Sequence, residues 1–337
     1  MPVLYVTSDQ PGAGKTAFCT TIASLITQYG RKAWVLKPLS KNPEGDTDPA
    51  IYSKLLGQSN NGWSQTDSGN VVTEQIISKI QTTLTNMGGD HNILLVELPA
   101  CLSLKEFELL NQLDNSSVIV LNKYSRNADI SQFAEWQSVL GTRLLGFITN
   151  HLTRYKKSDA LTNLLPAMKS NGLKSLGMMP EDRRLLGITV KTLALSLGGR
   201  FVTCEDKNDE LVEHFLVGGL GMDNGTEYFG IRNNKAVIIR GDRPDIQMAA
   251  LRTPTKCMLI TNGIEVIEYV KYESDLNQVP VIVVDTDTLA TMESLDALLP
   301  DVKFDHPEKL DRFKELLNTN VDMPSIYAAL GMETTHS

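Results

Sequence analysis

The chain has 337 residues, of which 42% are hydrophobic and 21% are charged. This composition excludes a disordered tail, a collagen-like fibre and a disulfide-stapled miniprotein. Lys and Arg number 32 and Asp and Glu number 40, which gives a net charge of −8 at pH 7. Because a surface of that sign repels nucleic acid and anionic membranes, we expect neither as a partner.

The length predicts two domains, each large enough to bury its own core. The amino-terminal sequence has no charged leader, and no apolar run is long enough to span a membrane. We therefore expect a cytoplasmic protein and, from base rates alone, a homo-oligomer, most often a dimer. The four cysteines have neither zinc-site nor disulfide-ladder spacing, and we expect buried free thiols at Cys19, Cys101, Cys204 and Cys257.

Short β-branched runs alternate with helical patterns in the first part of the chain. Strands are predicted at residues 3–6, 33–36, 93–97, 118–121 and 144–149. Strands separated by helices form parallel sheets that helices cover on both faces. The first helix has a clear apolar stripe and Gly30 at its end, and Pro166 is expected to kink or split a later helix.

A second strand-and-helix series follows the polar stretch after residue 199. Its strands are predicted at residues 236–239, 258–261 and 281–284. This rhythm predicts a first domain at 1–200, a smaller α/β domain at 201–310 and a C-terminal tail at 311–337. The tail is expected either to pack on the body or to remain mobile.

The strongest local motif lies between the first predicted strand and the first predicted helix and reads Thr7-Ser8-Asp9-Gln10-Pro11-Gly12-Ala13-Gly14-Lys15-Thr16. In that context, backbone N–H groups and the helix N-terminus bind phosphate oxygens. The motif predicts a nucleotide site at Gly12, Ala13, Gly14, Lys15 and Thr16, with Lys15 on the β and γ phosphates and Thr16 on Mg²⁺. An ordinary glycine-rich turn is the alternative. Asp9 stands where the full pattern has glycine.

Other polar residues follow predicted strands, where a parallel sheet meets its ligand. Glu97 ends the third strand, Asp46 and Asp48 lie in a loop, and Lys37 and Asn150 follow two further strands. The carboxylates are candidate Mg²⁺ ligands, and the Asn150 amide is a candidate for pairing with a purine. Each also has an ordinary alternative: a solvated carboxylate, a surface lysine or a turn asparagine.

The second domain contains two strand-to-helix turns at residues 240–245 and 261–263. Asp242, Arg243 and Thr261 are therefore candidates for a second anion or nucleotide site. The alternative is turn chemistry with an Asp242–Arg243 ion pair. The five histidines have no spacing typical of a metal site or a catalytic triad.

Together these motifs resemble known families. The first 200 residues resemble the dethiobiotin synthetase-like domain through the loop ending Gly14-Lys15-Thr16, Lys37-Pro38, Asp48, Val96-Glu97 and the strings at 146–150 and 176–183. The remainder resembles a DRTGG domain through Gly241-Asp242-Arg243, Asp245-Ile246-Gln247, Ala249-Ala250-Leu251 and Thr261-Asn262-Gly263. The pair is similar to the N-terminal regulatory half of long phosphate acetyltransferases.

The resemblance implies a P-loop NTPase-like parallel sheet followed by a smaller α/β DRTGG domain. It also implies ATP and Mg²⁺ as cofactors. By position, Thr16, Asp48 and Glu97 would bind the metal, and Asn150 would bind the adenine. In true synthetases the residue at the position of Lys37 binds the amine-carbamate substrate. The sequence departs from the synthetases after Glu97, where Leu98 and Pro99 replace a glycine-rich turn. It departs from the DRTGG pattern at Asn262, which replaces the middle glycine of that string. Acetyl transfer is not expected.

Three functions follow from this reading. The first is an ATP-binding regulatory or sensor protein that controls a metabolic enzyme. The second is an ATP-dependent ligase of the dethiobiotin synthetase or cobyrinic acid diamide synthase type, with Lys37 at the reacting group. The third is a scaffold whose loop is vestigial, because the Asp9 carboxylate repels phosphate.

Overall fold

The computed structural model describes residues 1–58, 67–87, 92–112, 115–219 and 225–332. The chain divides by its internal contacts into two units. Unit 1 comprises Met1–Glu181 and Phe304–Ser337, and unit 2 comprises Asp182–Lys303.

Unit 1 begins with eight strands and seven helices. The strands are β1 (Val3–Ser8), β2 (Lys32–Leu36), β3 (Leu39–Ser40), β4 (Asp67–Ser68), β5 (Asn92–Ala100), β6 (Ser116–Lys123), β7 (Leu144–Leu152) and β8 (Ser175–Pro180). The helices are α1 (Lys15–Gln28), α2 (Asp48–Leu56), α3 (Glu74–Met87), α4 (Leu104–Leu110), α5 (Ile130–Leu140), α6 (Lys157–Asp159) and α7 (Leu165–Ser170). These counts refer to the described part of the unit.

Six of the strands form one parallel sheet in the order β2-β5-β1-β6-β7-β8. The buried β1 lies between β5 and β6. Strands β2 and β5 lie on one side of β1, and the later strands β6, β7 and β8 lie on the other, so the strand order reverses at β1. In open α/β sheets the ligand crevice lies at the carboxyl ends of the strands, beside such a crossing. The predicted parallel α/β fold is confirmed, and each of the five predicted strands lies within an observed one.

Local signals in the sequence also correspond to the structure of unit 1. Ser103 and Glu106 form a complete capping box at the start of α4. The helical segment at 157–170 is not split at Pro166, but a π-helical stretch at Ala160–Leu164 interrupts its α-helical pattern just before α7, which has Pro166 in its first turn. Gly30 has a φ of +76° just after α1, the left-handed conformation typical of a helix end.

Unit 2 contains a smaller α/β sheet. Its strands are β9 (Ile188–Thr189), β10 (Arg200–Thr203), β11 (Leu211–Val212), β12 (His214–Gly218), β13 (Lys235–Arg240), β14 (Thr255–Thr261) and β15 (Val281–Val283). Its helices are α8 (Val190–Ser196), α9 (Gly225–Gly230), α10 (Pro244–Leu251), α11 (Glu268–Leu276) and α12 (Thr288–Leu298). The main sheet has the order β10-β15-β14-β13-β12, in which only β10 pairs in the antiparallel sense among the described strands.

The division between the units differs from the boundary expected at residue 200. It falls after Glu181, because β9 pairs with β11 and because Ile188, Val190 and Leu193 belong to the apolar core of unit 2. Residues 182–199 therefore pack with the second α/β sheet.

The C-terminal segment returns to unit 1. It forms α13 (Pro307–Asn320) and α14 (Met323–Ala329). The Asp322 N–H donates to the Leu176 carbonyl over 2.7 Å, and the rings of Tyr29 and Tyr327 meet edge to face with centroids 5.2 Å apart. The C-terminal tail was expected either to pack on the body or to remain mobile, and residues 311–332 pack on unit 1. Residues 333–337 lie outside the described residues.

The prediction of buried thiols is wrong for two of the four cysteines. All four are unpaired, but Cys101 is exposed and Cys204 is half-buried, whereas Cys19 and Cys257 are buried. Cys101 and Cys204 directly follow β5 and β10, with φ of +59° and +51°. Among the described residues, no helix has the length and apolar character needed to cross a membrane.

Candidate functional site

The candidate site is the loop that joins the end of β1 at Ser8 to the start of α1 at Lys15. Gly12 and Gly14 have φ of +71° and +93°, in the left-handed region that favours glycine. Gly14 is the N-cap of α1, and no side chain in the described structure caps this helix end. Helix N-termini leave their first N–H groups without partners inside the helix, so the loop retains donors for an anion.

Lys15 is held over the start of this loop. Its ammonium group donates to the Ser8 hydroxyl over 3.0 Å, and that hydroxyl donates to the Gln10 carbonyl over 2.8 Å. The ammonium group therefore lies beside the end of β1, where the loop begins. Ser8 lies within the motif, but the sequence pattern predicts no role for it.

A buried carboxylate lies beside the first turn of α1. The Thr16 hydroxyl donates to Glu97 Oε1 over 3.1 Å, and the Tyr52 hydroxyl donates to Glu97 Oε2. Burial and then the nearby Asp48 charge raise the pKa of Glu97, although Lys37 and Lys15 act in the opposite direction. Burial and the Glu97 charge raise the pKa of Tyr52 in turn, so the phenol keeps its proton.

Lys37 links the end of β2 to Asp46, before α2, and to Asp48, the first residue of that helix. Its ammonium nitrogen lies 2.6 Å from Asp46 Oδ2 and 2.5 Å from Asp48 Oδ2. Burial favours the neutral amine, but Glu97, Asp46 and Asp48 together raise the pKa of Lys37 above its ordinary value. Lys37 is therefore a charged group that balances the carboxylates around it.

The residues predicted for a metal lie in this cluster. Thr16 contacts Glu97 directly, and Asp48 is close enough to Glu97 to influence its pKa. No group of three or more His, Cys, Asp or Glu side chains in the described residues has the arrangement of a metal site. Mg²⁺ commonly keeps several waters and uses only one or two carboxylates together with substrate phosphates. One hydroxyl and two carboxylates fit that mode of binding.

Asp9 is turned towards β6. Its carboxylate accepts the Lys123 N–H over 3.0 Å, and its own N–H donates to the Leu121 carbonyl over 3.2 Å. Burial raises the pKa of Asp9, whereas the hydrogen bond from Lys123 lowers it. The residue that departs from the phosphate-loop pattern thus has a structural partner on the neighbouring strand.

Asn150 lies against the loop itself. Its Nδ2 group donates to the Ala13 carbonyl over 2.8 Å, and the next residue, His151, contacts the Gly12 carbonyl through Nε2 over 3.0 Å. Both residues belong to the carboxyl end of β7. His151 gave no signal in the sequence, because a single histidine after a strand has no distinctive spacing.

The second-site candidates in unit 2 are all engaged by other residues of that unit. Asp242 forms a two-bond pair with Arg240, at 3.0 and 2.5 Å, in place of the expected pair with Arg243. Arg243 pairs with Asp245 at 3.0 and 2.7 Å, and the buried Thr261 shares a 3.3 Å hydrogen bond with Thr288. These contacts are those of the turn-chemistry alternative, and the second site stays a prediction.

Unit 2 has a cavity elsewhere, of about 420 Å³. Its described lining comes from the end of β12, from α9 and from α10, and includes none of Asp242, Arg243 and Thr261.

The comparisons with known proteins give one family match and several similar solved structures. Residues 192–298 match the family model of the DRTGG domain, which confirms the domain expected from the sequence. One similar solved structure contains the CBS and DRTGG domains of the regulatory region of Clostridium perfringens pyrophosphatase, complexed with the activator diadenosine tetraphosphate. It is 13% identical, with a TM-score of 0.29, and the match covers 48% of this chain and 74% of that one.

Other similar structures match over about half of this chain. Cobyrinic acid a,c-diamide synthase from Mycobacterium smegmatis, with bound ADP and magnesium, is 18% identical with a TM-score of 0.40, over 54% of this chain and 88% of that one. The MinD cell division protein of Aquifex aeolicus is 16% identical with a TM-score of 0.39, and the match covers 55% of this chain and 84% of that one. Likenesses of this size carry no functional conclusion for this chain.

Proposed function

We propose that this protein is a nucleotide-binding regulatory or sensor protein that takes a magnesium nucleoside triphosphate, with ATP as the expected ligand, at the β1–α1 loop. One observation carries the proposal. Gly14, with a φ of +93°, leaves the N-terminus of α1 without a side-chain cap at the point where Lys15 and Thr16 begin the helix.

The chain's own residues account for the binding chemistry. The N–H groups around Gly12, Ala13 and Gly14 and the N-terminus of α1 would hold the phosphates, and the Lys15 charge would offset theirs. Thr16, Glu97 and Asp48 would hold Mg²⁺ or its water shell, and the metal would neutralise phosphate charge. Glu97 has a raised pKa and must lose its proton to serve as a ligand.

Regulation is proposed ahead of ligase chemistry because of the surroundings of Lys37 and Glu97. Lys37 is held between Asp46 and Asp48, whereas a ligase would direct it to a substrate. Strand β5 continues through a buried Leu98, and the Pro99 carbonyl accepts the Thr7 hydroxyl hydrogen over 2.6 Å. These bulky residues occupy the place where the synthetases have a small turn for substrate.

The DRTGG domain in unit 2 and the resemblance to the regulatory half of long phosphate acetyltransferases support a controlled metabolic enzyme as the partner. A homodimer remains the expected assembly. Nucleotide binding controls such a partner only if this protein has two functional states that bind the nucleotide with different affinities.

Calorimetry with Mg·ATP on the full chain and on Lys15→Ala tests the nucleotide site. Loss of charge-assisted hydrogen bonds is expected to weaken binding about 10- to 100-fold. Lys105→Ala, at an exposed position of α4, is the matched control and should bind like the wild type. Equal affinity in Lys15→Ala and the wild type, or no binding in either, contradicts the proposal.

A second assay separates regulation from ligase activity. A regulatory protein should release ADP only at background rate when amines or carboxylic acids are added with Mg·ATP. Release that rises with one of these substrates, and is lost in Lys37→Ala, would instead establish the ligase.

A further inference from the structure

Two consecutive residues of β7 hold two consecutive carbonyl groups of the phosphate loop. Asn150 Nδ2 donates to the Ala13 carbonyl over 2.8 Å, and His151 Nε2 lies 3.0 Å from the Gly12 carbonyl. Since a carbonyl oxygen only accepts, the His151 ring must carry a proton on Nε2. These contacts join positions 137 and 139 residues apart in the chain.

The backbone around the two side chains is arranged for this contact. His151 has a φ of +57°, a conformation that costs a residue with a Cβ of the order of 1–2 kcal/mol. The Asn150 Oδ1 atom accepts the His151 N–H over 2.8 Å, and the Asn150 carbonyl accepts the Tyr124 N–H over 2.9 Å. The amide group is therefore held at both ends, by its own strand and by the loop.

Gly14 completes the contact from the loop side. A Cβ atom at this position would lie 2.6 Å from Asn150 Nδ2, which is too close for a non-bonded pair. Glycine is thus needed here for the approach of Asn150 as well as for the φ of +93°.

From this geometry we propose that Asn150 and His151 are positioning residues that clamp the phosphate loop, and that Asn150 contributes to nucleotide binding by holding the loop. The inference rests on the proposed function of the loop as a phosphate receptor. With the carbonyls of Gly12 and Ala13 held by β7, the peptide units of the loop cannot rotate those oxygens towards the phosphates. The clamp thereby keeps the N–H groups available to the anion before it arrives, which lowers the ordering cost of binding.

The clamp and a base reader predict different selectivity. A base reader contributes to the affinity for ATP but not to that for tripolyphosphate, which carries the phosphates without a base. A clamp contributes equally to ATP, GTP and tripolyphosphate, because all three bind through the loop.

The test measures the affinity of the full chain for Mg²⁺ complexes of ATP, GTP and tripolyphosphate. Asn150→Ala and His151→Ala are each expected to weaken all three by the same factor, about threefold to tenfold, and the double variant by about 10- to 100-fold. His151→Gln retains an N–H donor at a similar reach and should restore most of the loss. Asn163→Ala removes an exposed amide that donates to Asp159 instead, and should have no effect.

Hydrogen exchange in the absence of nucleotide provides a second, independent measurement. Exchange over residues 9–17 should be faster in Asn150→Ala and His151→Ala than in the wild type and in Asn163→Ala. The clamp is overturned if exchange in the loop is unchanged, or if Asn150→Ala weakens ATP alone and leaves tripolyphosphate binding intact.

Failure of the proposed function has a different signature. In that case neither the wild type nor Lys15→Ala binds any of the three ligands. The exchange measurement then decides whether β7 holds the loop, and faster exchange in the variants would establish a clamp on a loop that does not bind nucleotide.

Discussion

Thr16 and Glu97 are joined by a 3.1 Å hydrogen bond that connects the first turn of α1 to a buried residue within β5. The second oxygen of the carboxylate accepts the hydroxyl of Tyr52. Glu97 is only 4% exposed, and burial raises its pKa. A protonated carboxyl group does not bind Mg²⁺, so proton and metal compete for this side chain.

Glu97→Gln is therefore expected to reduce the dependence of ATP affinity on Mg²⁺. The amide keeps the size of the side chain and can accept the hydrogen bond from Thr16 but cannot carry a negative charge. Calorimetry measures the ATP affinity of each protein in Mg²⁺ and in EDTA. The ratio of the affinity in Mg²⁺ to that in EDTA should be about tenfold smaller in Glu97→Gln than in the wild type. An unchanged ratio would exclude Glu97 from the metal site.

The same raised pKa predicts the pH dependence of metal binding. As the pH falls through the raised pKa of Glu97, the carboxylate takes up a proton, and the gain in ATP affinity from Mg²⁺ should decline. The γ-phosphate of ATP also titrates, so the comparison is between the wild type and Glu97→Gln over the same pH series. A decline of equal steepness in both proteins would show that the nucleotide alone causes it.

Asp9→Asn tests whether the carboxylate in the loop opposes phosphate binding. Asparagine can still accept the Lys123 N–H, which now lies 3.0 Å from Asp9 Oδ1, but it removes a negative charge from the loop. We expect Mg·ATP to bind about threefold to tenfold more tightly to Asp9→Asn, with little change in thermal stability. Asp9→Gly should lose stability as well, because it leaves the Lys123 N–H without its acceptor. If the wild type bound no ATP and Asp9→Asn did bind it, the loop would be established as vestigial.

The parts of the fold that depend on local signals could be predicted. Strand runs such as residues 93–97 and the Ser103–Glu106 capping box are determined by neighbouring residues, and both are present. Strand β8 could not be predicted, because only two of its six residues are buried and its place depends on pairing with β7 and with Val321. The same holds for the division after Glu181, which the remote pairing of β9 with β11 determines.

The candidate site shows the same distinction. The glycine and lysine pattern located the loop, since its chemistry is contained in consecutive residues. Tyr52 was missed although it lies four residues after Asp48 on α2, a spacing that places both on one helix face. The partner of Asn150 is 137 residues away, and no sequence pattern determines in which direction a strand-end amide points.

Gly177→Ala is expected to detach the C-terminal segment from β8. A Cβ atom at residue 177 would overlap the Asn320 carbonyl oxygen and lie 2.8 Å from Val321 Cα, and the φ of +152° is itself unfavourable for alanine. Since the obstruction is backbone, we expect a loss of about 2–4 kcal/mol in the free energy of unfolding. Urea denaturation measures the loss, and limited proteolysis should cut near residues 300–322 first.

Gly172→Ala is the control for this substitution. Gly172 also has a positive φ, of +72°, but nothing lies within 4 Å of an added Cβ, so only the backbone cost of about 1 kcal/mol is expected. If the two variants lost equal stability, contact with residues 320 and 321 would not be the reason for glycine at 177.

Lys235 is a lysine buried inside unit 2. Its ammonium group donates to the Thr253 hydroxyl and to the Pro254 carbonyl, each over 2.9 Å, and the residue has no exposed surface. Burial lowers its pKa to about 8. Below that pH the lysine is charged in both the folded and the unfolded protein, so the cost of burying the charge is fully present.

As the pH rises from about 8 towards the ordinary value of 10.5, the folded protein loses this proton before the unfolded protein does. The unfolded state then binds more protons, so the free energy of unfolding should increase with pH, by about 2 kcal/mol over the interval. Lys235→Met should lack this increase, whereas Lys191→Met, at an exposed position of α8, should retain it. Chemical denaturation at pH 7, 8, 9 and 10 compares the three proteins. Parallel curves for the wild type and Lys235→Met would show that Lys235 is ionised to the same extent in both states.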